Sequence, residues 1–265
     1  MFEATFIYLL LGAFAGIAAG LLGVGGGLII VPVLVAIFLQ QSFEPQIVMQ
    51  LALGTSLATI IFTSASSVLA HHHRSAVAWG MVGKMAPGML LGAMTGAYIA
   101  DNVSGEQLKL FFAVFEVLVA IYMLIGAPVA TNIFQGRLNR TELLGVSVCF
   151  GAVSSVLGIG GGTLTVPYLC MRGTKIRQAV AASAACGLPI AVSGAFGYFL
   201  LGLDEAALPA YTSGFIYWPA LVGIVASSLL TAPLGAAMAQ HMPVSSLKRT
   251  FAVVLIIMAL IMVVV

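Results

Sequence analysis

The chain has 265 residues, 61% hydrophobic and 7% charged, with a mean hydropathy of +1.14 and a formal net charge of +2. Soluble domains carry about 25% charged residues, so this composition excludes a water-facing globule and points to an all-α integral membrane protein. The basic residues form no run of the kind that holds nucleic acid.

The opening Met-Phe-Glu lacks the positive region of a cleavable signal peptide, so the first apolar stretch is expected to remain. Apolar segments are predicted at 5–22, 24–40, 48–70, 79–100 and 107–126, and again at 141–157, 159–171, 178–202, 214–238 and 246–265. Several hold ~20 residues, enough to cross a ~30 Å hydrocarbon core. Residues 159–171 as a helix would span only about 20 Å, too little to cross. The three cysteines, Cys149, Cys170 and Cys186, all lie in apolar sequence and read as small packing residues.

The two sets of segments are related. Gly16, Gly23, Gly25, Gly26, Gly27 and Pro32 match Gly151, Gly158, Gly160, Gly161, Gly162 and Pro167 at one constant offset. Ser56 and Ser66 match Ser183 and Ser193 at a second, and Trp79, Gly96, Leu108, Lys109 and Phe112 match Trp218, Gly235, Leu247, Lys248 and Phe251 at a third. The chain thus divides into a first repeat at 1–126, a linker at 127–140 and a second repeat at 141–265.

Loop charge gives the expected topology. If each GGG sits at the tip of a helical hairpin that returns to its starting side, the connections 41–47, 101–107 and 203–213 hold acids and no lysine or arginine. The opposite connections hold Arg74, Lys84, Arg137, Arg140, Arg172, Lys175, Arg177, Lys248 and Arg249, and only Lys109 falls on the wrong side. The basic side is the cytoplasmic one, which puts the N-terminus outside; the termini are expected on opposite sides. Each half then makes an odd number of crossings, so the halves are two inverted-topology repeats, each a glycine-tipped hairpin plus three transmembrane helices. Glycine-interrupted helices in inverted repeats are a secondary-transporter architecture.

With the tips meeting near the bilayer midplane, Gly25, Gly26, Gly27, Gly160, Gly161 and Gly162 each lie where a helix restarts. A helix N-terminus carries free N–H groups and about +0.5 of an elementary charge, so two facing ends make an anion site without a cationic side chain. Thr163 and Thr165 could add hydroxyl donors, whereas their counterparts Leu28 and Ile30 cannot. A P-loop is excluded because neither triplet is followed by Lys-Ser/Thr.

"GLLGVGGGLIIVPVL", its repeat "SSVLGIGGGTLTVPYL" and the polar "ALGTSLATIIFTSASS" together resemble the sulfite exporter TauE/SafE family, also called toluene sulfonate uptake permeases, over essentially the whole chain. The resemblance implies transport of small sulfur-containing oxyanions, such as sulfite or organosulfonates, across the bacterial inner membrane, with export the expected direction.

Other polar residues complete the expectation. Thr55, Ser56, Thr59, Thr63, Ser66 and Ser67 recur every three or four residues and lay a hydroxyl stripe along one helix. Ser56, Ser66, Ser183 and Ser193, shared by both halves, are the expected substrate contacts. Glu116 lies mid-segment in "FFAVFEVLVAIYML", where a carboxylate costs on the order of 3 kcal/mol, and is the candidate for proton coupling. His71, His72 and His73 are adjacent on a helix, about 100° apart, and cannot share one ion, so neither a metal nor a cofactor is expected. The expected partners are a small sulfur oxyanion and the lipid bilayer, with a homo-oligomer compatible with the sequence. An anion channel using the same site is the competing reading; an integral-membrane enzyme is less favoured, because no catalytic cluster lies at midplane. In a background lacking native cysteines, cysteines placed at Asp204 and Arg172 should label from opposite faces; same-side labelling contradicts the topology.

Overall fold

The structure is a computed structural model that describes residues 2–22, 26–72, 77–125, 140–174, 176–241 and 244–264. These residues form ten helices: α1 (Phe2–Leu22), α2 (Gly27–Gln40), α3 (Pro45–His72), α4 (Trp79–Asp101), α5 (Gly105–Ile125), α6 (Arg140–Val156), α7 (Gly162–Met171), α8 (Ile176–Leu201), α9 (Trp218–His241) and α10 (Val244–Val264). Helices dominate because a chain this apolar must satisfy its backbone locally. They restart where glycine or proline breaks the ladder: α2 and α7 each begin on the last glycine of a triplet, and α3 begins on Pro45.

Two helical hairpins are present. In the first, the Gln41 Nε2 donates to the Tyr8 hydroxyl at 2.9 Å, bringing the end of α2 back to the start of α1. In the second, Arg172 at the end of α7 pairs with Glu142 in the first turn of α6 and lies over the Tyr168 ring. That ring meets Phe150 edge-on at 5.5 Å between centroids. With only ten residues, α7 is about 15 Å long and does not cross a bilayer by itself.

Helices pair across glycines. Gly12 and Gly16 of α1 lie on the backbones of Ile224 and Ser228 in α9, so the two helices run parallel. Gly88, Gly92 and Gly96 of α4 lie on Leu144, Val148 and Ala152 of α6, again in parallel. By contrast, Gly54 meets Tyr198, Leu57 meets Gly194 and Ser64 meets Gly187, so α3 and α8 cross antiparallel at the centre. A Cβ at Gly92 would stand 2.0 Å from the Val148 carbonyl oxygen; close backbone approach of this kind is how helices associate in lipid.

The outward surface is apolar. Leu110, Leu118 and Ile125 of α5, Leu230 of α9 and Val263 of α10 are all more than half exposed, which suits a surface facing lipid. Among the described residues, four helical stretches are long and apolar enough to cross a membrane: Pro45–Leu69, Gly105–Ile125, Gln178–Leu201 and Trp218–Gly235. Six were expected. Of the other two helices expected to span, α4 holds Lys84 and ends on Asp101, and α10 runs Val244–Val264.

The last correction to the expected elements concerns α9, which starts at Trp218 instead of 214. Phe215–Tyr217 belong to a turn. The Phe215 N–H donates to the Tyr198 carbonyl, and the Tyr217 ring packs on Tyr8, Phe38 and Phe43 over the open end of the first hairpin. Gly92→Ala should lower the thermal midpoint of the detergent-purified protein by several degrees, since overpacking costs about 1–3 kcal/mol. Gly80→Ala, whose Cβ meets nothing within 4 Å, should not; equal midpoints would refute the packing account.

Candidate functional site

The two glycine turns touch. Gly26 caps α2 in the left-handed region, φ 74°, where glycine alone is unstrained, and its carbonyl accepts from the Ile29 and Ile30 amides at 3.0 and 3.1 Å. At Gly27, a Cβ would lie 2.5 Å from the Gly158 carbonyl oxygen and 2.9 Å from the Ile159 Cα, so the turns press together backbone to backbone. Gly160, Gly161 and Gly162 are all buried; Gly25 lies outside the described residues.

The turns are not copies of each other. Gly161, the counterpart of Gly26, caps α7 in the right-handed region at φ −61°, and its carbonyl accepts from the Thr165 amide at 2.9 Å. The first turn of α2 is buried leucine and isoleucine, Leu28–Ile30. In α7 the corresponding stretch carries Thr163 and Thr165, and both hydroxyls are buried without a hydrogen-bond partner among the described residues.

The central helices α3 and α8 flank this contact. Ser56 donates its hydroxyl proton to the Gly158 carbonyl at 2.7 Å, tying α3 to the second turn. Thr55 accepts the Tyr217 amide at 3.0 Å, so one turn of α3 anchors both the second hairpin and the segment leading into α9. Across the interface, the Ser183 hydroxyl of α8 is fully buried and has no partner among the described residues.

The expected site residues therefore separate. Gly26, Gly27, Gly160, Gly161, Gly162, Thr163, Ser56 and Ser183 lie on the touching turns or the helices against them. Ser193 instead donates to the Leu90 carbonyl at 2.6 Å and holds α8 to α4. Ser66 is half-buried, two residues and about 200° round the helix from the buried Ser64. Glu116 is fully buried on the Leu108–Phe112–Ala120 face of α5, with neither carboxyl oxygen partnered among the described residues. No group of three metal-ligating side chains occurs among the described residues.

Ser64 and Gly187 were not among the expected contacts. Ser64 stands eight residues beyond Ser56, on the same stripe, and Gly187 one turn beyond Ser183; that helical spacing was the available signal.

An all-helical protein with an apolar outer surface, membrane-length helices and two buried glycine turns in contact belongs to the polytopic membrane proteins. Residues 8–262 match the family described as sulfite exporter TauE/SafE, and the chain belongs to that family. It is 37% identical to a probable membrane transporter protein of Haemophilus influenzae over 260 residues, covering 98% of each chain. It is also 26% identical to the probable membrane transporter protein YunE of Bacillus subtilis, over 95% of this chain and 94% of that one. A third relative is the probable membrane transporter protein MJ0441 of Methanocaldococcus jannaschii, 26% identical over 86% of this chain and 81% of that one. No solved structure matches it. The chain is a membrane transporter. Ser56→Ala should destabilise it by about 0.5–2 kcal/mol, read as a lower thermal midpoint, because the Gly158 carbonyl loses its donor; an unchanged midpoint would show the tie to be idle.

Proposed function

We propose that this transporter moves small sulfur-containing oxyanions, of which sulfite is the representative, out of the cell across the bacterial inner membrane. The observation that carries the reading is the buried contact of two helix-starting turns, beside hydroxyls that have no partner among the described residues. Helix N-termini and hydroxyl groups both offer protons to an oxyanion and need no cationic side chain.

The proposed mode is alternating access, and the arrangement of the halves supports it. In the matching of repeats, α1 corresponds to α6 and α4 to α9. The parallel pair α1–α9 then recurs as α6–α4, and α3 crosses its own counterpart α8 antiparallel. Such an exchange supports two halves inserted in opposite senses, which can rock about the central crossing. With both hairpins returning to their starting side and one crossing for each remaining long helix, the total is even. On this proposed topology both termini lie outside.

Glu116 is proposed as the proton-coupling group: it is buried, unpartnered among the described residues and carried on a helix long and apolar enough to cross the bilayer. Moving a proton with a dianion reduces the charge carried, worth about 2.3 kcal/mol per charge per 100 mV. Proteoliposomes holding the full chain should accumulate sulfite against its gradient when a pH difference is imposed; equilibration without accumulation would mark a channel. Glu116→Gln should flatten the pH dependence of that uptake while the protein still binds sulfite, and an unaltered profile would remove Glu116 from the coupling.

A further inference from the structure

We infer that the oxyanion is seated at the α7 end of the contact alone, against Thr165 of α7, Ser183 and Gly187 of α8, and Ser64 of α3. The inference rests on the anion reading above and narrows it, because the two helix ends are unequally available.

The α2 end is closed. The Gly158 carbonyl oxygen lies against the Gly27 Cα, and the following Leu28, Ile29 and Ile30 are buried among apolar side chains. A carbonyl oxygen at that position presents negative charge where an anion would have to sit. The same oxygen already accepts the Ser56 proton, so neither group is free to turn toward a ligand.

The α7 end is lined by donors. The Thr165 hydroxyl stands 3.3 Å from where a Cβ of Gly161 would be, so it lies over the cap of its own helix. It is fully buried and without a partner among the described residues, as is Ser183. Ser183 and Gly187 are one turn apart on one face of α8, and that face meets the cap: the space of a Gly187 Cβ lies 3.7 Å from the Gly161 amide nitrogen and 3.0 Å from the Ser64 hydroxyl. The absent Cβ of Gly187 thus lets an amide at the helix cap and a serine hydroxyl converge on one position of α8. The nearest cation along α7, Arg172, stands at its far end, about 15 Å away, held by Glu142. The ligand class is therefore a small oxyanion bound by neutral N–H and O–H donors, with its size limited by the space at Gly187.

The test is calorimetric titration of the detergent-purified full chain with sulfite, sulfate and thiosulfate as separate probes. Gly187→Ala should weaken the bound probe about tenfold or more, because the new methyl occupies the space over the Gly161 amide; its tightest neighbour is a rotatable hydroxyl, so the fold is retained. Ser183→Ala and Thr165→Val, which remove donors without adding bulk, should each weaken it about three- to tenfold. If all three variants bind within about twofold of the unaltered protein, less than a lost hydrogen bond would give, the one-sided seat is wrong while the anion reading stands. If the unaltered protein binds none of the three probes, the anion reading itself fails.

Discussion

The Gly158 carbonyl oxygen accepts a hydrogen bond from the Ser56 hydroxyl and rests against the Cα of Gly27, and the architecture converges on that point. A bilayer supplies no water to an interrupted backbone, so broken helices persist only where protein covers them. Here each turn is covered by the other, with Ser56 of α3 and Gly187 of α8 against the second. A side chain at Gly27 would push the turns apart, and with them the hairpins α1–α2 and α6–α7. Glycine at this position is a condition of the contact as well as a matter of backbone freedom.

The contact also explains why two near-identical glycine phrases produce an unsymmetrical centre. The left-handed residue that caps α2 is Gly26, whereas the left-handed residue of the second turn is Gly158, three positions before the cap of α7. Leucine and isoleucine seal the start of α2, and two threonines open the start of α7. Near-identical phrases thus assume different roles: one turn is wedged against the other's carbonyl, and the second keeps its donors available. The proposed one-sided seat is the chemical consequence of that division.

Much of this arrangement is legible in the sequence. The glycine triplets mark the restarts of α2 and α7 because nothing else in an apolar segment breaks a helix so completely. The loop charges anticipate two hairpins, and the Tyr8–Gln41 and Glu142–Arg172 pairs close them. What escapes the sequence is pairing between distant helices. Ser64 and Gly187 are unremarkable until α3 and α8 cross antiparallel, and Ser193, which repeats Ser66, proves to be engaged with α4. The start of α9 escapes the sequence for a related reason. Phe215–Tyr217 read as the beginning of an apolar helix, yet they are apolar because Tyr217 packs over Phe38 and Phe43 and Phe215 and Ile216 join the core.

The central claim, that a small oxyanion sits where the second glycine turn starts α7, is tested most directly by locating one. Selenite is a close analogue of sulfite, and its selenium scatters anomalously, so crystals of the full chain grown with selenite would reveal the bound atom. The account predicts a selenium peak within hydrogen-bonding reach of the first amides of α7 and of Thr165 and Ser183. A peak at the α2 end, or one confined to the basic loops with the α7 end empty, would contradict it.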